Sequence, residues 1–381
     1  MCHKEDMHRR FAAAGLLLAC NNTPDPASAD RALPQQRVEP ITIAGYTSEE
    51  LLADFERARA HLLVDRFAQA AQGFDRIMRL TTDPELRAYA LFNGGVAHEG
   101  MGERAIALER YRELTRAHQA QGIAKNGLVR LMRLYGYLER WDDLGQAADQ
   151  LLARNELPEM DRIEGYGARA LSLVERGQID KARIAVSKAQ ELIDRYGFGR
   201  SGTPPVQLAQ VSFAEGEIRR IQSEKIKLTP VPPNFAEVLE ARCQGLLDAQ
   251  NAFTEAMRSR DAHWSAMSGY RVGQLYQQLH REAMQIPPPA QASLPKKQLF
   301  EAAMRLRYRI LLEKGLTMMD ATVRLGDRTG EDSYRIGRAR DAKRQLEQAL
   351  ADEKAALAAT PYTEEELRAA LEKLKERTKK P

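Results

Sequence analysis

Cysteine is nearly missing from this chain: Cys2, Cys20 and Cys243 are its only three in 381 residues. No disulfide framework can hold the fold together, so stability has to come from a buried apolar core. Cys243, flanked by Ala241, Arg242, Leu246 and Leu247 in a stretch of helical spacing, reads as a small buried side chain and not as a nucleophile. Aromatic residues are scarce as well, at 6%, and Ala, Leu, Glu and Arg dominate in their place. That mixture disfavours β-sandwiches and barrels and favours helices. An excess of one charge is also missing: 57 basic and 53 acidic residues are interspersed and leave +4. A nucleic-acid binder needs its cations clustered in a stripe, and none is present, so no nucleic-acid partner is expected.

Signatures of catalysis are absent too. There is no GxSxG, no Walker A loop and no zinc-type CxxC pair. His98-Glu99 lacks the second histidine of HExxH, and DRTGED (327–332) has its glycine in the wrong place for a calcium loop. GFGRSG (197–202) has the spacing of GxGxxG, but the helical KAQELIDRY precedes it and Pro204-Pro205 follow. A dinucleotide fingerprint needs a strand before it and a helix start after it, so this stretch reads as a loop. No enzyme activity, cofactor or metal is expected.

Long hydrophobic runs are also lacking. Phe11 to Ala19, FAAAGLLLA, has nine residues; as a helix it reaches about 13 Å, far short of the ~30 Å hydrocarbon core. It follows His8-Arg9-Arg10, and a basic segment before a short apolar one is the pattern of a cleaved export signal. Leu17-Leu18-Ala19-Cys20 then resembles a bacterial lipobox, with Leu18 where a small residue is more usual. The resemblance implies cleavage before Cys20 and lipid on its sulfur, giving a membrane partner through an N-terminal anchor. A plain secretory signal is the alternative. A core helix is disfavoured, because residues 21–40 hold four prolines and few large apolar side chains. MCHKED places two acids ahead of the signal, and a start at Met7 makes a cleaner one without Cys2. Asn21, in place of an inner-membrane-retaining Asp, favours the outer membrane, facing the periplasm. The expected order is a signal over 1–19, then the lipidated cysteine and a flexible tether over 20–46 reaching roughly 25–30 Å.

What the chain does have is a period. Ala58, Phe67, Ala70 and Phe74 are echoed by Gly95, Gly102, Ala107 and Tyr111. Met132, Trp141, Leu144, Ala148 and Leu151 follow, then Ala170, Gly177, Ala182, Val186 and Ala189. The leading positions 58, 95, 132 and 170 are offset by 37, 37 and 38 residues. Each unit reads as two amphipathic helices joined by a tight turn. The pattern resembles the tetratricopeptide repeat family, in which small residues at the eighth and twentieth positions let paired helices approach. Ala58, Gly95 and Ala170 match the eighth and Ala70, Ala107 and Ala182 the twentieth. Phe67, Trp141 and Ile179 match the seventeenth, and Phe74 and Tyr111 the twenty-fourth. Met132 and Leu144 depart from it, which predicts a splayed third pair. The resemblance covers four repeats over 47–195 and implies an all-α solenoid of antiparallel helix pairs with a concave inner surface.

GFGRSGTPP marks a break, after which a C-terminal extension of longer repeat-like helices is expected over 206–359. It includes helices near 235–258, 297–325 and 333–359, the last two separated by GDRTGED. A charged tail helix over 360–381 opens with the capping box Thr363-Glu366. Ala249 to Leu350 is similar to the ends of large tetratricopeptide-repeat proteins of δ-proteobacteria and myxobacteria, some of them in envelope machines.

The repeat register directs Phe55, Arg59, Phe92, Asn93, Val96, Asn126, Arg130, Arg133 and Tyr137 toward the concave side. Rings beside amides and guanidiniums suit an extended peptide segment of a protein partner. Family members that grip a C-terminal carboxylate use Lys, Asn, Asn, Lys and Arg. Asn93 and Arg130 fall near matching places, whereas Phe55, Arg59 and Asn126 replace the other members. The resemblance implies a lipid-anchored scaffold for protein interaction in the cell envelope. A pilotin-like assembly factor for an outer-membrane machine is the alternative.

Overall fold

The structure, a computed structural model, describes residues 49–119, 121–288 and 290–369. The expected signal, Cys20 and the tether therefore lie outside the described residues, as does the tail beyond 369. Among the described residues all regular structure is α-helical, and none of the helices is long and apolar enough to cross a membrane. The chain divides into two compact units, with the boundary between Tyr196 and Gly197.

The first unit holds eight helices: α1 (Glu49–Leu63), α2 (Phe67–Leu80), α3 (Pro84–Gly100), α4 (Arg104–Ala117), α5 (Ile123–Tyr137), α6 (Trp141–Leu152), α7 (Glu159–Glu175) and α8 (Ile179–Tyr196). Each packs chiefly on its neighbours in sequence, and the first helices of successive pairs, α1, α3, α5 and α7, also touch one another. That nearest-neighbour pattern is how a solenoid builds a continuous core from helix pairs that could not bury their apolar faces alone. The residues that recur in phase form this core. Ala70, Phe74, Ala107, Tyr111, Met132, Leu144, Ala148, Ala170, Ala182 and Ala189 are fully buried. Burial of a side chain the size of Phe74 stabilises by about 1.5–3 kcal/mol. The third pair, α5 and α6, is in the least extensive contact of the four, and its second helix is also the shortest of the unit.

The turn within each pair repeats as faithfully as the core. Asp65, Gly102, Glu139 and Gly177 all have left-handed backbone, with φ of 58°, 77°, 56° and 73°. They stand two residues before the second helix of each pair. Glycine adopts this conformation without strain, whereas Asp65 and Glu139 adopt it at a cost. Between pairs the chain uses capping: Pro84 opens α3, and the Asp83 carboxylate accepts from the Glu85 N–H at 2.8 Å.

The second unit holds α9 (Val206–Glu224), α10 (Phe235–Met257), α11 (Ala262–Met284), α12 (Leu294–Thr329) and α13 (Tyr334–Ala358). The closest partners are α9 with α10 and α11 with α12, and α13 packs across both α11 and α12. Cys243 is buried. α12 runs from Leu294 through most of GDRTGED, because Gly326 is not a helix breaker here. A Cβ at Gly326 would stand 2.9 Å from Ile336 on α13, so this glycine serves the close approach of the two helices. The chain turns at Gly330 instead, which caps α12 with φ 70°. A final helical stretch begins at 364. Its capping box is complete: the Glu366 carboxylate accepts from the Thr363 N–H at 2.7 Å, and the Thr363 hydroxyl accepts from the Glu366 N–H at 3.2 Å.

Candidate protein-binding surface

The nine residues expected on the concave side separate into a buried set and a displayed set. Phe55 is fully buried, its ring edge-on to Phe74 with centroids 5.4 Å apart. Phe92, Asn93 and Val96 are buried in α3, with Phe92 tilted against Tyr111 at 5.9 Å. The cause is the composition of α3. Ala88, Ala90, Gly94, Gly95 and Ala97 leave it with small residues on several faces, so α1, α2, α4 and α5 close round it. A helix packed on most of its faces offers no stripe to a ligand, and Phe92, Asn93 and Val96, like Phe55 of α1, are packing residues in this conformation.

Arg59, Asn126, Arg130, Arg133 and Tyr137 are half-buried. Arg59 pairs with Glu56 at 2.8 Å on its own helix, apart from the others. The remaining four share α5, and its two arginines face carboxylates of the neighbouring repeats. Arg133 forks onto Glu164 of α7, with Nε–Oε1 at 2.6 Å and Nη2–Oε2 at 3.0 Å. Arg130 reaches Glu99 of α3 at 3.5 Å. The Tyr111 hydroxyl donates to the same Glu99 at 2.6 Å, and burial together with the Glu99 charge pushes the phenol well above its ordinary pKa. Lys125 on α5 adds a pair with Asp161 on α7 at 2.6 Å. The guanidinium of Arg104 lies 4.2 Å above the Tyr137 ring. The first helices are thus tied to one another by the chain's own carboxylates, and the arginines that suit a partner's carboxylate already hold one.

Glu99, Asp161 and Glu164 escaped the sequence reading because no motif marks them. Their separations from Arg130, Lys125 and Arg133 are 31, 36 and 31 residues. A search for opposite charges offset by one period would have paired Lys125 with Asp161, whereas the two arginine pairs fall about six residues short of the period.

An open concavity of this unit lies elsewhere among the described residues. A cleft of about 290 Å³ is walled by the second helices α6 and α8 and floored by α7. α6 contributes Gly145 and Asp149, α7 contributes Tyr166, Arg169 and Ser172 with Arg176 at its C-cap, and α8 contributes Lys181, Ile184 and Lys188. The Ser172 hydroxyl donates to the Trp141 carbonyl at 2.7 Å, which fixes the floor to one wall. Arg169 pairs with Asp149 at 3.2 Å and Arg176 with Asp142 at 3.2 Å, all four groups facing solvent. The Lys188 ammonium stands 5.8 Å from the Tyr166 ring centre. Lys181 is exposed and makes no ion pair among the described residues. Ile184 is 59% exposed, a large aliphatic side chain open to water inside a charged rim.

The buried charges Glu217, Arg242 and Glu353 of the second unit are paired within it. Glu217 on α9 is fully buried, with Arg271 of α11 at 2.7 Å and Arg220 at 2.9 Å. Burial raises its pKa, but Arg271, Arg220 and the nearby charge of Arg335 on α13 outweigh it, so the carboxyl lies below the ordinary carboxylate range. Arg242, also fully buried, holds Glu282 at 2.9 Å and donates to the Ser223 hydroxyl at 2.6 Å. Glu353 of α13 receives Arg305 of α12 at 3.0 Å. These networks bind the helices of the unit to one another.

No family model matches the sequence, and no curated protein does. Among solved structures, a tetratricopeptide repeat protein from Parabacteroides merdae ATCC 43184 aligns over 79% of this chain and all of that one, at 12% identity and a TM-score of 0.45.

Proposed function

We propose that this chain is a non-enzymatic scaffold that binds other proteins through its helical repeats, held at the cell envelope by a lipid on Cys20. The observation that carries the binding role is the cleft between α6, α7 and α8. It combines an aromatic floor residue, an exposed isoleucine and a rim of cations on helices braced by their neighbours. Such a surface offers an apolar contact within a charged perimeter, the layout of a small protein-interaction site. The lipid anchor is supported by the basic-then-apolar N-terminus that ends at Cys20.

Expression of the full chain with Cys20→Ser tests both parts. The parent should carry a metabolically incorporated fatty-acid label and sediment with membranes, and the variant should lose the label and become soluble. Mild-detergent purification of the parent should retrieve the same envelope protein in independent preparations. A label that persists without the Cys20 thiol refutes the anchor, and the lack of any reproducible co-purifying protein refutes the scaffold.

A further inference from the structure

The cleft has a chemical preference that can be read from its charges. Four cations line it, Arg169, Arg176, Lys181 and Lys188, against one carboxylate, Asp149. The two arginines stand seven residues apart, Arg169 on α7 and Arg176 at its C-cap, and the two lysines seven apart on α8. Seven residues are close to two helical turns, so each pair shares a face and spans about 10 Å. The cleft therefore presents two short cationic rows, one on its floor and one on its wall, with Ile184 between the lysines on the wall.

We infer that this cleft is the docking site for an acidic, extended peptide segment of a protein partner, one with two or more carboxylates next to an aliphatic side chain. This inference rests on the scaffold reading above. Arg169 and Arg176 already hold Asp149 and Asp142, so their guanidiniums are positioned for carboxylates, and incoming carboxylates would exchange with solvent-exposed ones at little desolvation cost. Ile184 and Tyr166 give the aliphatic side chain a surface to cover. Three to four residues of extended chain match the ~10 Å rows. A nucleic acid fits less well. Its charge continues past the cleft, where the exposed Asp142 and Asp180 stand at the margins and would repel a polyphosphate backbone. A short acidic segment ends inside the cationic rows.

The test uses the full-length protein and three fluorescein-labelled probes: an eight-residue Asp/Glu peptide with one central Leu, its Lys counterpart and a single-stranded DNA octamer. Anisotropy should show binding of the acidic peptide alone, weakening at least tenfold between 50 and 300 mM NaCl. Lys181→Glu with Lys188→Glu should weaken it a further tenfold or more. Ile184→Asp should do the same through a side chain that is not a cation. All three positions are exposed, and an unchanged far-UV spectrum and melting temperature will confirm that the variants fold. Unaltered peptide affinity in these variants, or equal binding of the DNA octamer, overturns the inference. Co-purification from the native envelope separates the two claims. A partner retrieved equally by parent and Lys181→Glu/Lys188→Glu protein refutes the acidic cleft and leaves the scaffold standing, whereas no partner at all refutes the scaffold itself.

Discussion

Substitution of Glu217 by Gln should weaken the second unit substantially. The carboxylate is fully buried and joins three helices: it accepts from Arg220 Nη2 at 2.9 Å, pairs with Arg271 Nε at 2.7 Å, and lies within the field of Arg335. Glutamine keeps one acceptor oxygen but turns an NH2 group toward guanidiniums that can only donate. Breaking a buried ion pair from one side costs about 3–5 kcal/mol. Two compensations set the value at the lower end: Arg220 keeps Glu224 at 2.8 Å, and Arg271 keeps the Gln274 carbonyl at 2.8 Å. A loss of about 3 kcal/mol lowers the melting temperature of a unit this size by about 6–12 °C. The two tryptophans fall one in each unit, so in a Trp141→Phe background Trp264, its ring 5.5 Å from Phe213, reports on the second unit alone. The pH dependence checks the mechanism. The folded pKa of Glu217 lies below the unfolded value, so its contribution is complete above about pH 4.3 and is lost as pH falls through the folded value. Parent and variant should therefore differ most near neutrality and converge in acid. A difference below 1 kcal/mol at pH 7, or one that persists undiminished below the folded pKa, refutes an ionised bridge.

Two further measurements address the repeat unit. A double-mutant cycle on Arg133→Ala and Glu164→Ala, read by urea denaturation with Trp141 fluorescence, should give a coupling of about 1–3 kcal/mol, because the fork is charge-assisted and Glu164 is buried; a coupling near zero would show that the first helices are not braced by it. At the intrapair turns, Gly177→Ala should cost about 1 kcal/mol through backbone strain alone, since a Cβ there meets nothing within 4 Å, while Glu139→Gly at the matching turn should cost nothing or stabilise slightly. Equal effects of the two substitutions in thermal melts would show that the turns are not equivalent.

The parts of this fold that the sequence displays are those fixed by a residue's own helix pair. Small or apolar side chains at 58, 70, 107, 170 and 182 recur in phase because every pair solves the same local packing problem, and all five are buried. The turn at 65, 102, 139 and 177 recurs for the same reason, although only two of its four residues are glycine. Where a side chain answers to the next pair, the single-repeat register no longer decides its fate. Phe92, Asn93 and Val96 stand at positions a repeat template leaves open, yet they are buried because the small residues of α3 admit neighbours on most sides. Arg130 and Arg133 are where the register puts them, but their role is set by Glu99 and Glu164 on adjacent helices. The same distinction explains Gly326, which looks like a break in its own helix and serves instead the packing of the next one.

It also explains why the cleft was missed. Tetratricopeptide resemblance directs attention to the first helices, and here those helices spend their charges on one another. The cations that line the cleft lie on the next layer out, at 169, 176, 181 and 188, where the sequence shows only an ordinary solvated surface. Their meaning comes from the three helices standing close enough to make one concave surface of them, and from Ile184 left open at its centre. An aliphatic side chain exposed there has no role in the unit's own core, since its neighbours Ala182, Ala185 and Val186 supply that burial. Exposure alone does not distinguish Ile184, since Val64, Leu80 and Leu294 are as open to water; what sets it apart is its place between Lys181 and Lys188 in the lining of the cleft.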